Sequence, residues 1–318
     1  MHLGVLTSGG DAPGMNAAIR AVVRAGIFNS CRVTGIRRGL LGLMAGEAQP
    51  MDLGSVADII YRGGTILHTG RSPDFQNGQG LPSALEAVRA LGLDGLVVIG
   101  GDGSARAALK LAQAGVRVVA IPATIDNDVP GSDDSIGFDT AVNTIAGSVD
   151  RVRDTATALE RGFVIEVMGR DSGHLALAAG VATGAESILI PEFPTSMDLV
   201  CQRLKRGLER NKLHSIIIVA EGVAPAQVVA DQVKEKSGME LRVTVLGYVQ
   251  RGGSPTAADR ILASRLGEHA VEVLLAARHG IFIGTRGNQT VECDLEQVAR
   301  ARKEIDQAMF RLAHVLSI

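Results

Sequence analysis

Short apolar runs alternate with amphipathic stretches of helical length along most of this chain. The apolar runs predict strands at 3–6, 96–99, 117–122, 163–169, 187–191, 215–220 and 242–248. The spacing of apolar residues predicts helices at 15–27, 104–114, 138–158, 173–184, 199–210, 256–278 and 294–316. Strands that are separated by helices usually pair in parallel, because each helix carries the chain back over the sheet. We therefore predict an α/β fold with two lobes, each a mostly parallel sheet sandwiched by helices.

The composition agrees with strands that are buried between helices. Hydrophobic residues make up 46% of the 318 residues, while aromatic residues make up 3% and tryptophan is absent. A chain this apolar folds rather than staying disordered, and its core must consist mainly of Val, Ile, Leu and Ala. The length fits one large domain or two modest domains.

The charge and the cysteines narrow the surroundings in which the chain works. The formal net charge of −2 provides no overall attraction to nucleic acid or to an anionic membrane. Cys31, Cys201 and Cys293 lack the spacing of metal ligands, so we interpret them as isolated thiols in a reducing compartment. The first strand begins by residue 3, which leaves no room for a signal peptide, and no apolar run has the length of a membrane span. We expect a cytoplasmic protein with neither a nucleic-acid partner nor a membrane partner.

The sequence Gly-Gly-Asp-Gly-Ser at 100–104 is the strongest candidate for a binding site. It ends an apolar strand and opens a helix, so glycine N–H groups and the helix dipole can approach a phosphate. Asp102 would repel a bare phosphate, but a carboxylate fits such a site when Mg²⁺ lies between the two. The motif indicates a magnesium-bound nucleotide. A plain strand-to-helix turn is the alternative, because short glycine motifs recur by chance.

The same arrangement occurs near the start of the chain. The strand at 3–6 leads into Gly9, Gly10 and Asp11, and Pro13 stands near the start of the next helix. Open α/β sheets bind ligands at the carboxyl ends of their parallel strands. We therefore expect the two glycine loops to lie side by side at such an edge.

Polar residues also follow other predicted strands. Asp126 and Asp128, in the sequence Thr-Ile-Asp-Asn-Asp, can divide the work of catalysis. One carboxylate can accept a proton from a substrate hydroxyl while the other stays near the metal. An Asx-rich turn explains the same residues equally well.

Charged residues stand at the ends of the later strands. Arg170 could neutralise a transferring phosphoryl group or pair with a nearby acid. Glu221 could bind a sugar hydroxyl or cap the next helix. Arg242 and Arg251 flank a strand and its glycine turn and could together bind a second phosphate, although one arginine in such a turn is usually solvated. We interpret His174 as an ordinary residue at a helix start.

Together, the ordered motifs resemble those of the bacterial 6-phosphofructokinases. They are TSGGDAPGMN, GGDGS, TIDND, MGR and VLGxxQRGGSP, and the resemblance covers essentially the whole chain. It implies Rossmann-like lobes in a phosphofructokinase fold and ATP-dependent phosphorylation of the 1-hydroxyl of fructose 6-phosphate, with Mg²⁺ as cofactor. It also implies that residues 1–137 with about 252–301 bind the nucleotide, and that about 138–251 with 302–318 bind the sugar phosphate.

The resemblance assigns roles to individual residues by motif. The nucleotide site is implied at Gly10, Arg71, Ser72, Gly101, Asp102, Gly103 and Ser104, with Asp102 toward Mg²⁺. Sugar-phosphate contacts are implied at Thr124, Ile125, Asp126, Met168, Gly169, Arg170, Glu221, Tyr248 and Arg251. The catalytic set would be Gly10, Thr124, Asp126 as the base, and Arg170 as the group that stabilises transferring charge. Arg161 and Arg242 would be lent across a subunit interface, which implies an oligomer, typically a tetramer with shared active sites.

The resemblance further implies an effector site for ADP or phosphoenolpyruvate at a subunit interface. Its matching positions are Arg20, Arg24, Arg153, Glu186, Arg210, Lys212 and His214. A solvated helix face is the alternative for Arg20 and Arg24. Leu53 replaces an arginine that helps to form this site in many relatives, so we expect weaker or altered regulation. Tyr248 replaces a histidine in the phosphate-binding segment, and tyrosine donates a hydrogen bond without carrying positive charge.

The nearest rival function is that of a pyrophosphate-dependent phosphofructokinase. Those relatives tend to carry a bulkier acid at the position of Gly103 and a lysine at that of Ala123. Small residues at both positions leave room for the nucleoside part of ATP. A non-catalytic regulatory subunit is disfavoured by the presence of Asp102, Asp126 and Arg170, and an oxidoreductase by the absence of G-x-G-x-x-G in either glycine loop.

Overall fold

The structure is a computed structural model that describes residues 1–212 and 214–317, apart from the side chain of Gln76. The chain divides into two compact units. The first consists of Met1–Thr140 with Arg251–Lys303, and the second of Ala141–Gln250 with Glu304–Ile318. In each unit helices accompany a sheet of mostly parallel strands, so the predicted α/β fold is confirmed.

The first unit is built from two separate segments of the chain. Its strands are β1 His2–Ser8, β2 Arg32–Ile36, β3 Ala48–Met51, β4 Gly95–Gly100, β5 Val118–Pro122, β10 Ile281–Arg286 and β11 Gln289–Asp294. Its helices are α1 Met15–Phe28, α2 Gly39–Met44, α3 Pro73–Gln76, α4 Leu81–Ala90, α5 Asp102–Gln113, α10 Ala257–Leu275 and α11 Leu295–Arg300. Over the described residues, the sheet order is β11-β10-β5-β4-β1-β2-β3. The edge strands β3 and β11 run antiparallel to their neighbours, while the five strands between them pair in parallel.

The second unit has a smaller sheet. Its strands are β6 Gly162–Val167, β7 Ser187–Leu189, β8 Ile216–Ala220 and β9 Leu241–Val245, in the order β7-β8-β6-β9 and all parallel over the described residues. Its helices are α6 Phe138–Leu159, which begins in the first unit, α7 His174–Thr183, α8 Met197–Glu209, α9 Ala226–Ser237 and α12 Gln307–Leu316. A 3-10 turn, Gly247–Gln250, follows β9.

Aliphatic packing holds each unit together, as the composition predicts. The strand β4 is buried along its whole length because helices cover both faces of the sheet. On one of these faces, α10 lies close to α1. A Cβ on Gly267 would lie 2.9 Å from the carbonyl oxygen of Ala18, so this approach requires glycine. Full burial of one Leu or Ile side chain contributes about 1.5–3 kcal/mol.

Several predicted elements are wrong in extent: the strands 163–169 and 187–191 end at Val167 and Leu189, and the helix 256–278 ends at Leu275. The predicted strand 242–248 ends at Val245, because Gly247 has a φ of +53° that breaks the extended backbone. The predicted helix 294–316 is two helices. Asp306 ends the interruption by accepting a hydrogen bond from the N–H of Met309, which starts α12.

The sequence pattern also missed the strands β2, β3, β10 and β11. The edge strands β3 and β11 are only partly buried, so their residues do not form a continuous apolar run. No helix in the described part of the chain is both long and apolar enough to cross a membrane.

Candidate active site

Three loops meet at one edge of the first unit's sheet. The strands β1 and β4 are parallel neighbours with Ser8 opposite Gly100, and β5 follows with Pro122 opposite Gly100. The carboxyl ends of the three strands therefore end level with one another. The prediction that the two glycine loops lie side by side is confirmed, and the loop after Pro122 lies beside the second one.

The side chain of Ser104 ties the second glycine loop to the first strand. Its hydroxyl is buried and donates a 3.0 Å hydrogen bond to the carbonyl oxygen of Ser8. A Cβ on Gly100 would lie 2.5 Å from the same oxygen, so the packing requires glycine there. The hydroxyl of Ser104 thus has a structural partner. Ligand contact at this loop would come mainly from the backbone N–H groups at the start of α5.

Gly103 differs from Gly100 because the fold does not require it. A Cβ on Gly103 would meet no atom closer than Nη2 of Arg106 at 3.9 Å. Its backbone is helical, where Ala is favoured over Gly by about 1 kcal/mol. The missing side chain therefore leaves open space above the first turn of α5, beside the predicted phosphate position.

Asp102 opens α5 and pairs with Arg106 one turn later. The two side chains lie 2.7 Å apart, and each is about half exposed. Exposed i,i+4 pairs contribute only about 0.3–0.5 kcal/mol, so this carboxylate can exchange its partner for a cation at little cost. Of the other predicted nucleotide residues, Arg71 is exposed, whereas Ser72 is buried and accepts the Phe75 N–H as the cap of α3.

The loop after β5 gathers carboxylates against α5. The hydroxyl of Thr124 accepts a 3.2 Å hydrogen bond from the N–H of Asp126. A Cβ on Gly101 would lie 3.5 Å from Cβ of Thr124, so this loop contacts the second glycine loop. Burial, together with the negative charges of Asp126 and Asp102, raises the pKa of Asp128 to about 6. The carboxylates of Asp126 and Asp102 therefore both act on that of Asp128. Ile125 is fully buried, which leaves its backbone as the part that could reach a ligand.

Lys303 is a member of this region that the sequence analysis missed. Its ammonium donates a 2.8 Å hydrogen bond to the carbonyl oxygen of Asp133, and burial lowers its pKa to about 8. It also lowers the pKa of Asp128. Lys303 follows Asp128 by 175 positions and belongs to no motif, so no local signal could have identified it.

Arg251 contacts the first glycine loop. Its Nη1 donates a 3.2 Å hydrogen bond to the carbonyl oxygen of Asp11. The predicted pair of Arg242 with Arg251 is divided between the units, since Arg242 lies on β9 of the second unit. Arg251 therefore belongs to the first glycine loop, whereas Arg242 belongs to a strand of the second unit.

In the second unit, the loops after β6 and β8 lie against each other. Val167 is opposite Ala220, and the N–H of Gly222 donates a 3.1 Å hydrogen bond to the carbonyl oxygen of Gly169. A Cβ on Gly222 would overlap the carbonyl oxygen of Arg170. The exposed side chains of Arg170 and Glu221 therefore start from touching loops.

The backbone around Met168 and Gly169 is held from two sides. The N–H of Met168 donates to Oε1 of Gln250, which is fully buried and donates in turn to the carbonyl oxygen of Gly247. Gly169 has a φ of +125°, a conformation that favours glycine. These contacts fix the path of the chain immediately before Arg170.

Two predicted arginines lie at the opposite edge of the same sheet. Arg161 precedes β6, and Arg242 is opposite Phe163, the second residue of β6. Arg170 follows the other end of β6, and six residues of strand span about 17 Å. Within one chain, Arg161 and Arg242 are thus far from the loop that carries Arg170. Tyr248 is 83% exposed in the turn after β9, so it is outside the core.

The predicted effector residues fall in both units. Arg20 and Arg24 lie on α1 of the first unit, half-buried and exposed respectively. In the second unit, Arg153 donates to the carbonyl oxygen of Thr183, and Nδ1 of His214 lies 3.4 Å from the hydroxyl of Thr157.

Glu186, Lys212 and Arg210 line a cavity of about 300 Å³ in the second unit. The buried Glu186 pairs with Lys212 and accepts a hydrogen bond from the N–H of Ile216. The cavity is lined by two further arginines, Arg203 and Arg206, that no motif identified.

The carboxylates of the first unit fit Mg²⁺ better than a transition metal. No group of three or more His, Cys, Asp or Glu side chains converges as a metal site among the described residues. Mg²⁺ is commonly held by one or two carboxylates together with substrate phosphates and water. The charges of Asp102 and Asp126 both act on the carboxylate of Asp128, and carboxylate oxygens grouped in this way suit such a hard cation.

Comparison with known proteins indicates the family of the chain. A family model described as phosphofructokinase matches residues 2–274. The chain is 52% identical over 317 residues to the ATP-dependent 6-phosphofructokinase of Halalkalibacterium halodurans, and the alignment covers 100% of this chain and 99% of that relative.

Solved structures share the fold. A phosphofructokinase from Saccharomyces cerevisiae is similar with a TM-score of 0.86 at 35% identity, over 99% of this chain and 46% of the yeast chain. The chain thus spans about half the length of the yeast protein. A pyrophosphate-dependent phosphofructokinase from Nitrosospira multiformis has a TM-score of 0.88 at 23% identity, over 96% of this chain and 86% of that one. This last likeness shows the fold alone.

Proposed function

The chain belongs to the phosphofructokinase family, and from that premise we propose that it is an ATP-dependent kinase of fructose 6-phosphate. It transfers the terminal phosphoryl group of ATP to the 1-hydroxyl of the sugar phosphate, giving fructose 1,6-bisphosphate and ADP, a step of glycolysis. The observation that carries the proposal is the meeting of the two glycine loops with the Asp126 loop at one sheet edge. This edge brings a phosphate cradle and a proton acceptor together.

The nucleotide binds the first unit in this proposal. The backbone N–H groups of Gly101, Asp102 and Gly103 at the start of α5 receive its phosphates, helped by the helix dipole. Ser104 and Ser72 shape the loops through their own hydrogen bonds, and the exposed Arg71 supplies charge. Asp102 is the residue that would hold Mg²⁺, which when bound would offset charge on the phosphate oxygens.

The chain's own residues supply the proton transfer and the charge stabilisation. Asp126 accepts the proton of the sugar's 1-hydroxyl group. At the same time the hydroxyl oxygen forms the new bond to the phosphorus atom, and the bond from that phosphorus to ADP breaks. Thr124 holds the backbone of Asp126 through its hydroxyl. Arg170 stabilises the negative charge on the transferring phosphoryl group. Because Gly10 has no side chain, it allows the backbone of the first glycine loop to come close to the reacting groups.

The sugar phosphate binds the second unit. Its contacts come from residues on the loops after β6 and β8, which touch each other: Met168, Gly169, Arg170 and Glu221. Arg161 and Arg242 serve the active site of a neighbouring subunit, because β6 separates them from Arg170 by about 17 Å within one chain. Sharing of residues between subunits requires an oligomer, and we propose a homotetramer with shared active sites.

ATP is favoured over pyrophosphate as the donor. The open space above Gly103 accommodates the rest of the nucleotide, and no contact of the fold requires a glycine there. The relative that is 52% identical over its full length carries the ATP-dependent name. A coupled assay with ATP and with pyrophosphate, side by side, tests the proposal. Turnover of fructose 6-phosphate with ATP supports it, and comparable turnover with pyrophosphate contradicts it.

ADP or phosphoenolpyruvate would act at the cavity lined by Glu186, Arg210 and Lys212. These residues present cations around a single buried carboxylate that already has its partners. Leu53 is half exposed on the first unit and contributes no charge. We therefore expect weaker phosphoenolpyruvate inhibition than an arginine at this position would allow.

A further inference from the structure

The cavity in the second unit has a cationic wall that the effector prediction does not explain. Helix α8 contributes Arg203 and Arg206, one turn apart, and Arg210 follows the end of the helix. Lys212 adds a fourth cation. Glu186 also lines the cavity, but its carboxylate is already paired with Lys212. The cavity is therefore strongly positive, and an anion with two or more charges would compensate it.

Arg203 has a partner outside the cavity. Its Nη2 lies 2.7 Å from Nδ1 of His314, on the C-terminal helix α12. A guanidinium can only donate, so Nδ1 must accept and His314 must be neutral with its proton on Nε2. Phe310 holds the imidazole edge-on, with ring centres 4.7 Å apart, and itself packs on Phe193.

The electrostatic environment allows Arg203 to exchange its contact with His314 for a contact with an anion. Burial and the charge of Arg206 lower the pKa of Arg203, while burial and the charge of Arg203 lower the pKa of His314. Glu186, on the segment before β7, is a charged group that also lines the space around His314. Arg203 lines this space and the anion cavity alike, so one side chain faces both alternatives.

We propose that Arg203 binds the anionic effector directly, and that His314 competes with the effector for this arginine. In the empty site Arg203 donates to His314, and in the occupied site it donates to the ligand's phosphate. This role of Arg203 rests on the effector role proposed above and does not depend on the catalytic residues. It makes the C-terminal helix a part of the regulatory site.

A consequence of this exchange is that binding takes up a proton. When Arg203 turns to the anion, His314 loses the cation that lowers its pKa, so its pKa rises. Protonated His314 has no acceptor for Arg203, because both ring nitrogens then donate. Lower pH therefore releases Arg203 to the cavity. Affinity for the anion should therefore increase as the pH falls through the range in which His314 takes up its proton.

The test is calorimetric titration of the whole protein with sulfate and with phosphoenolpyruvate at pH 6 and pH 8. Sulfate stays dianionic over this range, so a change in its affinity belongs to the protein. Arg203→Met should weaken binding of both anions about 10- to 100-fold, as expected for a lost charge-assisted hydrogen bond. Arg311→Met, on the exposed side of α12, is the matched control and should bind as the wild type does.

Two substitutions of His314 distinguish competition between His314 and the anion for Arg203 from a general loss of structure at the site. His314→Ala removes the acceptor and should tighten sulfate binding at pH 8 by about two- to tenfold. His314→Gln keeps an acceptor that does not titrate, so it should remove the difference between pH 6 and pH 8. The proposal would be overturned if Arg203→Met bound the anions as tightly as the wild type, or if His314→Ala bound sulfate no more tightly at pH 8. It would also be overturned if neither anion bound the wild type. Kinase activity without effector should be the same in all these variants, and its absence from the wild type would instead refute the proposed function.

Discussion

The guanidinium of Arg251 covers the backbone of Gly10. A Cβ on Gly10 would overlap Nη1 of Arg251 and lie 3.1 Å from Cζ, and the same Nη1 donates to the neighbouring carbonyl oxygen of Asp11. Two motifs that are 240 residues apart in sequence are therefore in direct contact. Glycine at position 10 is what allows an arginine to lie across the first glycine loop.

Gly10→Ala should displace Arg251 and reduce use of fructose 6-phosphate. The colliding atoms are the end of a flexible side chain, so the fold should survive with a melting temperature within a few degrees of wild type. We expect kcat/KM for the sugar phosphate to fall by about tenfold, or about 1.4 kcal/mol. Gly252→Ala is the matched control, because a Cβ there meets no atom within 4 Å. Equal kinetics in the two variants would contradict a role for the Gly10–Arg251 contact.

Asp126→Ser should abolish most turnover while leaving the protein folded and able to bind both substrates. Removal of a general base typically costs ~10²–10⁴-fold in rate. Steady-state kinetics and equilibrium binding of fructose 6-phosphate measure the two effects separately. Asp150→Ser, which removes an exposed acid from α6, should leave kcat unchanged. If Asp126→Ser retains near wild-type kcat, another residue accepts the proton.

Gly103→Asp should reduce ATP use by about tenfold or more, because it adds a carboxylate beside the nucleotide phosphates. The open space at Gly103 means that the substitution should not destabilise the fold. Gly103→Asn has the same size without the charge, so the difference between the two variants isolates repulsion. An ATP KM that is unchanged in Gly103→Asp would place the phosphates away from the start of α5.

Asp128→Asn should stabilise the protein at pH 7 in the absence of Mg²⁺. The pKa of Asp128 is raised from 3.8 to about 6, so the folded wild type loses stability as the pH rises between these values. The neutral amide avoids this loss, and the gain at pH 7 should be about 1–3 kcal/mol in the free energy of unfolding. The difference should vanish below pH 3.8.

The same variant tests the fit of a cation to the carboxylate cluster. Adding Mg²⁺ should raise the melting temperature of the wild type more than that of Asp128→Asn. Asp150→Asn, far from the cluster in sequence and exposed, should show neither the gain at pH 7 nor the reduced response to Mg²⁺. A pH-independent gain in Asp128→Asn would indicate a packing effect rather than relief of charge.

Tyr248→His should tighten fructose 6-phosphate binding, with a smaller effect on the KM for ATP. The side chain is 83% exposed, so the substitution should not disturb the core. A histidine beside a dianionic phosphate would have a raised pKa and become cationic, and the gain should be on the order of 1 kcal/mol. Substrate titrations of both proteins from pH 6 to pH 8 check this. An unchanged affinity at pH 6 would show that residue 248 does not reach the phosphate.

The sequence pattern was sufficient where a continuous apolar run ends in glycines and opens an amphipathic helix. Strand β4 and helix α5 were predicted to within a few residues, because a continuous apolar run ending in glycines allows few conformations. The pattern failed where burial is partial. The edge strands β3 and β11 were missed, and the break between α11 and α12 was not apparent because both helices carry apolar residues in the same register.

The sequence by itself determined the fold class and the family, since these depend on local periodicity and on short motifs, and the same motifs predict the phosphate-binding loops. Only the tertiary structure decided which distant groups act on one another. Arg251 lies over Gly10, Lys303 affects Asp128, and Arg203 donates to His314. Each of these pairs joins residues more than 100 positions apart. Electrostatic and hydrogen-bonding effects depend on separation in space, and the pattern of a linear chain does not contain that distance.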